Sequence, residues 1–307
     1  MEIALSSGKS SIEPVNGIIL LNKEDGLSSN RALQNVKKLI GAKKGGHGGS
    51  LDPAATGMLI LCFGEATKIC PYLLNNHKTY RVIAEFGKST STGDREGTIE
   101  ETSEIHMHDH DYWVGILEKF LGESAQIPPM YSALKKDGQR LYKLARKGEV
   151  IQREARKINI SSIKLENIGD DCVEFLVTVS KGTYIRVLVE DIAKKAGMVG
   201  YTKKLHRVGV GNFKEKQMLC IQSIEESIAS SGTENKDYLL PVDTALLDWS
   251  SIHLNQDELG MFLNGRIIEI SSSSKGLIRV YDNEEKFIGI GEQKENYLLI
   301  PRRIFHL

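Results

Sequence analysis

Asp52 lies in the segment GGHGGSLDPAATG, between Leu51 and Pro53. Proline fixes its own φ and biases the preceding residue toward extended backbone, so the Asp52 carboxylate is held rather than frayed. The glycines around it let main chain approach a ligand closely, and a carboxylate in such a loop can serve as a nucleophile. Asp-Pro is equally a turn former, and taken alone the dipeptide favours the turn. His47 belongs to the same loop and would be presented to the same substrate. The loop lacks the spacing of a P-loop and does not match a dinucleotide fingerprint. Tyr80 follows Lys78-Thr79 at the start of a strand-like run, where an aromatic ring either stacks on a base or packs in a core. Arg186 ends KGTYIR. On a strand beside the Asp52 loop its guanidinium would keep the carboxylate ionised and oriented, or would form an ordinary structural ion pair. The string HMHDHD (His106–Asp111) resembles a metal site in composition. It is local, acid-flanked and precedes a helical pattern, so a solvated helix entry is the better reading.

These residues need elements to position them. GIILLNK (17–23) reads as a short buried strand that ends in the turn EDG. SSNRALQNVKKLI places Leu33, Val36, Leu39 and Ile40 at helical spacing, with Ser28 or Ser29 as N-cap. Residues 41–57 read as one glycine-rich loop. TYRVIAEFG alternates like a strand. Asp109 or Asp111 caps a helix in YWVGILEKFLG. Residues 126–157 open with Pro128-Pro129 and read as a basic, loop-rich insertion able to move. VEFLVTVSKGTYIRVLVEDIAKKAG gives a strand, a turn, a second strand or helix start, then a helix. Acidic linker-like sequence ends near 241–249. After it, GRIIEI, GLIRVYD, KFIGIGE and YLLIPRRIF indicate a small all-β module of about four or more strands.

The chain has 307 residues, 40% hydrophobic and 26% charged, which suits a soluble globular protein of one or two domains. No apolar run is long enough to span a membrane, and the N-terminus reads as a frayed tail rather than a signal peptide. Cys62, Cys70, Cys172 and Cys220 form no C-x-x-C pair, so four small core residues in a reducing cytoplasm are expected. The formal net charge is zero, but its distribution is uneven. Residues 135–157 carry nine Lys/Arg against three acids, and residues 194–216 carry seven against Glu215. Such asymmetry fits one face meeting phosphates; ordinary solvated helix faces fit it equally.

Six segments decide between these readings. KEDGLSSN, GGHGGSLDPAATGMLILCFGEATKI, KTYRVIAEFG, QIPPMYSALKKDGQRLYKLARKG, SKGTYIRVLVEDI and LHRVGVGNF occur in this order. In sequence and order they resemble the TruB family of bacterial tRNA pseudouridine-55 synthases over nearly the whole chain. The resemblance implies an α+β pseudouridine synthase fold in residues 1–245, a large, mixed, mostly antiparallel sheet flanked by helices. It implies an RNA-gripping insertion at about 126–157 and a β-rich PUA-like RNA-binding domain at 246–307. Asp52 would be the catalytic aspartate, Tyr80 would pack on the flipped base and help remove its C5 proton, and Arg186 would pair with Asp52. Leu205 would line the pocket, His47 would support extrusion of the nucleotide, Lys23 would shape the site, and Tyr184 would contact substrate. The family usually has Asp-Lys-Pro where this chain has Asn22-Lys23-Glu24, and Gly-His-Thr-Gly where it has Gly46-His47-Gly48-Gly49.

The implied reaction isomerises a uridine in the T-loop of tRNA without cofactor, metal, membrane or obligate protein partner. A tRNA-folding role alongside it is compatible. Three rivals are weaker. A guide-RNA-dependent synthase would lack the 126–157 insertion. An aspartyl phosphotransferase would need D-x-D-x-T, which is absent. A non-catalytic RNA-binding protein would have no use for Asp52, Tyr80 and Arg186 together.

Overall fold

The computed structural model describes residues 14–136, 138–231, 236–270, 275–295 and 297–307. The N-terminal tail expected to fray and the serine run at 271–274 lie outside the described residues. In chain order the first half contains β1 (Gly17–Lys23), α1 (Ser29–Leu39), β2 (Gly45–His47), β3 (Ala55–Phe63), α2 (Cys70–Leu73), β4 (Lys78–Phe86), β5 (Lys88–Thr90), β6 (Ile99–Thr102), α3 (His110–Glu118) and β7 (Gly122–Gln126). The insertion folds as β8 (Lys135–Lys136), β9 (Gln139–Arg140) and α4 (Leu141–Ala145). Then follow β10 (Arg156–Ile168), β11 (Cys172–Val179), α5 (Ile185–Lys195), β12 (Gly200–Val210), β13 (Phe213–Lys214) and α6 (Ile221–Ser231). The tail holds β14 (Ser251–His253), α7 (Gln256–Leu263), β15 (Ile268–Glu269), β16 (Gly276–Tyr281), β17 (Phe287–Gln293) and β18 (Leu298–Ile304).

The main sheet runs β1-β3-β12-β4-β11-β10-β7, with β2 paired to β3 and β13 to β12. β3 and β12 are parallel, and every other pair in it is antiparallel, which is the mixed, mostly antiparallel sheet expected. β1 and β3 are apolar on both faces because both faces are covered. Ile19, Leu21, Leu59 and Leu61 pack under α1 and α6, while Ile18, Leu20, Met58 and Ile60 pack against the tail's Tyr281, Phe287 and Phe305. Farther along, Val82, Ala84, Phe175 and Val177 pack under α3 and α5. One face of the sheet therefore carries two helical cores. Tyr80 on β4 and Leu205 on β12 touch both, which places the seam between the cores over these two central strands.

Local chemistry accounts for the helices. Ser28 caps α1 by accepting the Arg31 N–H at 3.2 Å, and Lys37 and Lys38 complement the dipole at its other end. Asp109 caps α3 through the Tyr112 N–H at 3.0 Å, as a solvated helix entry requires. In α5, Ile185, Leu188, Val189 and Ile192 recur at helical spacing and are buried.

Four expectations are corrected. Residues 41–57 are not one loop, because Gly45–His47 pairs with β3, which itself begins at Ala55. Arg186 is in the first turn of α5 rather than on a strand. The acidic stretch read as linker includes α6, whose Ile224 is buried in the core over β1 and β3. The tail sheet has five strands, β14-β16-β17-β18-β15, but α7 packs on it through Phe262, so the module is not all-β. Among the described residues no helix is long and apolar enough to cross a membrane.

The parallel pairing of β3 with β12 depends on Gly57. It faces Arg207 in register with φ +95°, and an added Cβ would stand 2.8 Å from the Arg207 nitrogen and closer still to its carbonyl oxygen. Gly57→Ala is expected to lower the free energy of unfolding by about 3 kcal/mol. Urea titration measures this, and an unchanged midpoint would rule out the close approach.

Candidate active site

The segment that carries Asp52 is gripped by its main chain. Arg207 donates from Nη2 to the carbonyl of Gly49 at 3.1 Å and from Nη1 to that of Ser50 at 3.2 Å. The Ser29 hydroxyl accepts the Leu51 N–H at 2.7 Å and donates to the Leu51 carbonyl at 2.9 Å. The Asp52 carbonyl accepts the Ala55 N–H at 3.1 Å. The Pro53 carbonyl accepts the Gly26 N–H at 3.0 Å and the Lys23 ammonium at 3.1 Å. Every carbonyl from Gly49 to Pro53 is thus bonded, which leaves the Asp52 side chain free of turn-forming work.

That side chain points across the seam. Its Oδ2 lies 3.0 Å from Nε of Arg186, with the aspartate side chain 45% exposed and the arginine side chain 5%. Arg186 is fixed on its other edges, since Nη1 donates to the Thr92 carbonyl at 2.6 Å and Nη2 to the Tyr131 carbonyl at 2.8 Å. A second carboxylate, Asp94, stands 3.7 Å from the same Nε. Its Oδ1 accepts the Thr92 hydroxyl at 2.5 Å and the Glu96 N–H at 3.0 Å. A buried, fully oriented guanidinium therefore presents one N–H to a half-exposed carboxylate.

The structure brings most of the expected residues to this point. Leu205 lines a small cavity with Asp52, Asp94 and Arg186. Tyr80 lies opposite Arg207 on the neighbouring strand, on the face that carries Leu205. Tyr184 is the N-cap of α5, two residues before Arg186, and its main chain is held on both sides by Gln126 at 2.8 and 3.1 Å. Burial pushes the Tyr184 phenol upward, so it stays protonated at neutral pH. His47 stands at the far end of the loop. Burial, followed by the Arg207 charge, pushes its pKa down, and among the described residues its Nδ1 has no hydrogen-bond partner. Lys23 is 1% exposed, and its ammonium donates to the carbonyls of Glu24, Leu27 and Pro53 at 2.7–3.1 Å. It supports the turn beneath Asp52 and faces no solvent.

Sequence reasoning missed Ser29, Asp94 and Arg207. Ser29 is one of the two N-cap candidates, and Ser28 takes that place and leaves Ser29 for the loop. Asp94 sits in an unremarkable polar turn. Arg207 belongs to the basic stretch at 194–216 but is 2% exposed, so it offers no surface charge. Lys203 in the same stretch is paired with Glu85. Leu73 crowds Gly48, at 2.9 Å from an added Cβ.

Comparison with known proteins fits this geometry. The N-terminal domain model of the TruB family pseudouridylate synthases matches residues 37–185. The tRNA pseudouridylate synthase B C-terminal domain model matches 186–247, and the pseudouridine synthase II TruB C-terminal model matches 250–305. A tRNA pseudouridine synthase B of Pseudomonas fluorescens is 46% identical over 94% of this chain and 95% of its own length. The chain belongs to the TruB family. A second TruB relative, from Pseudomonas syringae pv. syringae, shares 46% identity with the same coverage. A chain in a crystal structure of a Cbf5-Nop10-Gar1 complex aligns with this TruB chain at TM-score 0.74 and 20% identity, over 94% of this chain and 85% of that one. That likeness establishes the shared pseudouridine synthase fold.

Burial pulls the pKa of Lys23 from 10.5 down to about 8, against the opposing pull of Asp25, Asp52 and Glu96. The unfolded chain then binds this proton more tightly than the folded one between these two values. The lysine's contribution to stability accordingly rises with pH across that window and is lost as pH falls through about 8. Urea titrations across the window are expected to show the native chain gaining stability relative to Lys23→Met. A constant difference would remove Lys23 as the titrating group.

Proposed function

We propose that this TruB-family enzyme converts uridine 55 in the T-loop of tRNA to pseudouridine, with Asp52 as the nucleophile. The observation that carries the assignment is the half-exposed Asp52 carboxylate held 3.0 Å from the buried Arg186. The isomerisation breaks the N1–C1′ bond, turns the uracil, joins C5 to C1′, and trades the C5 proton for one on N1. Asp52 serves this by attack on the sugar, by attack on the base, or by taking the C2′ proton to give a glycal. Each route needs a carboxylate aimed out of the protein and stabilised from behind, which is what Arg186 and the bonded carbonyls of 49–53 supply.

The uridine must leave its stack, at a cost of a few kcal/mol. In this reading His47 braces the vacated space, Tyr80 packs on the flipped ring and assists loss of the C5 proton, and Leu205 and Tyr184 wall the pocket. Lys23 acts through the turn it supports. Residues 1–245 form the catalytic part and 246–307 the PUA-like domain, with the enzyme acting in the cytoplasm and without an obligate protein partner. The T-arm is read by shape and phosphate contacts. Lys135, Arg140, Lys143, Arg146, Lys147, Arg156 and Lys157 of the insertion are exposed, which suits that task.

With purified chain and unmodified tRNA, a position-specific map is expected to show pseudouridine at the T-loop uridine; none there would defeat the proposal. Asp52→Asn is expected to abolish turnover while tRNA still binds, and retained turnover would remove Asp52 from its role. Neutralising Lys143, Arg146 and Lys147 together is expected to weaken tRNA binding and to flatten its dependence on salt by roughly one unit of slope for each phosphate no longer bound. An unchanged slope would assign these charges to a solvated face.

A further inference from the structure

The cavity beside the catalytic pair has a volume of about 10 Å³ and is lined by Asp52, Asp94, Arg186, Thr202 and Leu205, among others. That is near the smallest space that accommodates one water, and far too small for a base. Thr202 is 3% exposed, and among the described residues its hydroxyl has no hydrogen-bond partner, although it lines a cavity with two carboxylates. Its main-chain N–H is engaged, donating to the Gly93 carbonyl at 3.0 Å. A buried hydroxyl without a partner is unfavourable, and a polar lining of this kind favours occupancy by water.

The ion-pair geometry poses a matching problem. A single Arg186 Nε faces Asp52 Oδ2 at 3.0 Å and Asp94 Oδ2 at 3.7 Å. Asp94 Oδ1 already accepts two hydrogen bonds, whereas Oδ2 makes this longer contact to Arg186. One N–H cannot serve two carboxylates equally well.

We propose that this cavity binds one structural water on Thr202, Asp94 and Asp52, and that Thr202 is thereby a positioning residue for the catalytic pair. The water accepts the Thr202 O–H and donates its two protons to the carboxylates. Asp94 is then satisfied without drawing on Arg186, whose Nε–H remains with Asp52. One fixed molecule thus bridges the shielded Asp94 and the half-exposed Asp52, which keeps the pair in register while the substrate changes. The kinetic half of this proposal rests on the assignment of Asp52 as the reacting group. The water itself does not.

Thr202→Val is isosteric and exchanges only the hydroxyl for a methyl, whereas Thr202→Ser keeps the hydroxyl. A high-resolution crystal structure of the unliganded full chain is expected to show one water within hydrogen-bond distance of Thr202 Oγ1, and none there in Thr202→Val. The valine variant is expected to be no more stable than the parent in urea. Its kcat for tRNA is expected to fall about fivefold, the worth of one hydrogen bond, with KM unchanged and with recovery in Thr202→Ser. Absence of the water, or a valine variant that gains stability, would overturn the site, because the hydroxyl would then simply be buried at a cost. A water present with kcat unchanged would overturn the positioning role. If every variant and the parent fail to turn over, the assignment of function fails while the crystallographic result still decides the site.

Discussion

The ion pair between Asp52 and Arg186 crosses the seam between two hydrophobic cores, and much of the architecture exists to make that crossing possible. Asp52 comes from the side built by α1 and β3. Arg186 comes from the first turn of α5, on the side built by α3, β4 and β11. A buried guanidinium is tolerated only where its donors are met, and its outer nitrogens are met by carbonyls of two further segments, at Thr92 and Tyr131. Three stretches distant in sequence thus converge on the Arg186 side chain. Of these partners, the half-exposed carboxylate is the one a substrate can reach.

Holding the Asp52 segment by its carbonyls is the complementary device. Lys23, Ser29 and Arg207 grip backbone, so the side chains of the segment are left for other work. All three gripping side chains are buried, which makes their hydrogen bonds stronger than they would be in water and makes losing one more damaging. This explains how a lysine and an arginine can lie within the interior: several peptide carbonyls take the place of a carboxylate as their acceptors.

Much of this is legible in the residues. The apolar pattern locates β1, α1, β4 and α3, because each carries its own buried residues in a local run or repeat. The ordered motifs identify the family and imply the pairing of Arg186 with Asp52 that the structure shows. Other features depend on contacts between segments far apart in sequence. Arg186 follows a strand-like KGTYIR, and only the bonds from Gln126 to Tyr184 show that the helix begins there. Arg207 reads as surface charge because composition cannot distinguish a phosphate-binding arginine from one that fills a core. α6 reads as linker because its apolar face is short, and only the surface of α1 and β1 gives that face something to bury. Ser29 needs its neighbour Ser28 to take the cap before it is free for Leu51.

The contact between the two sheets carries one more consequence. Ile18, Leu20, Met58 and Ile60 share a core with Val242, Leu246, Tyr281, Phe287 and Phe305. The tail module is therefore clamped to the back of the strand that follows the Asp52 turn, and the stretch around residue 246 is packed rather than hinged. The 126–157 insertion lies between β7 and β10, at the opposite edge of the main sheet from β1. There α4 and its hairpin are anchored through Leu141, Leu144 and the bond from Arg186 to Tyr131. The insertion is thus tied to the interior by the same arginine that pairs with Asp52.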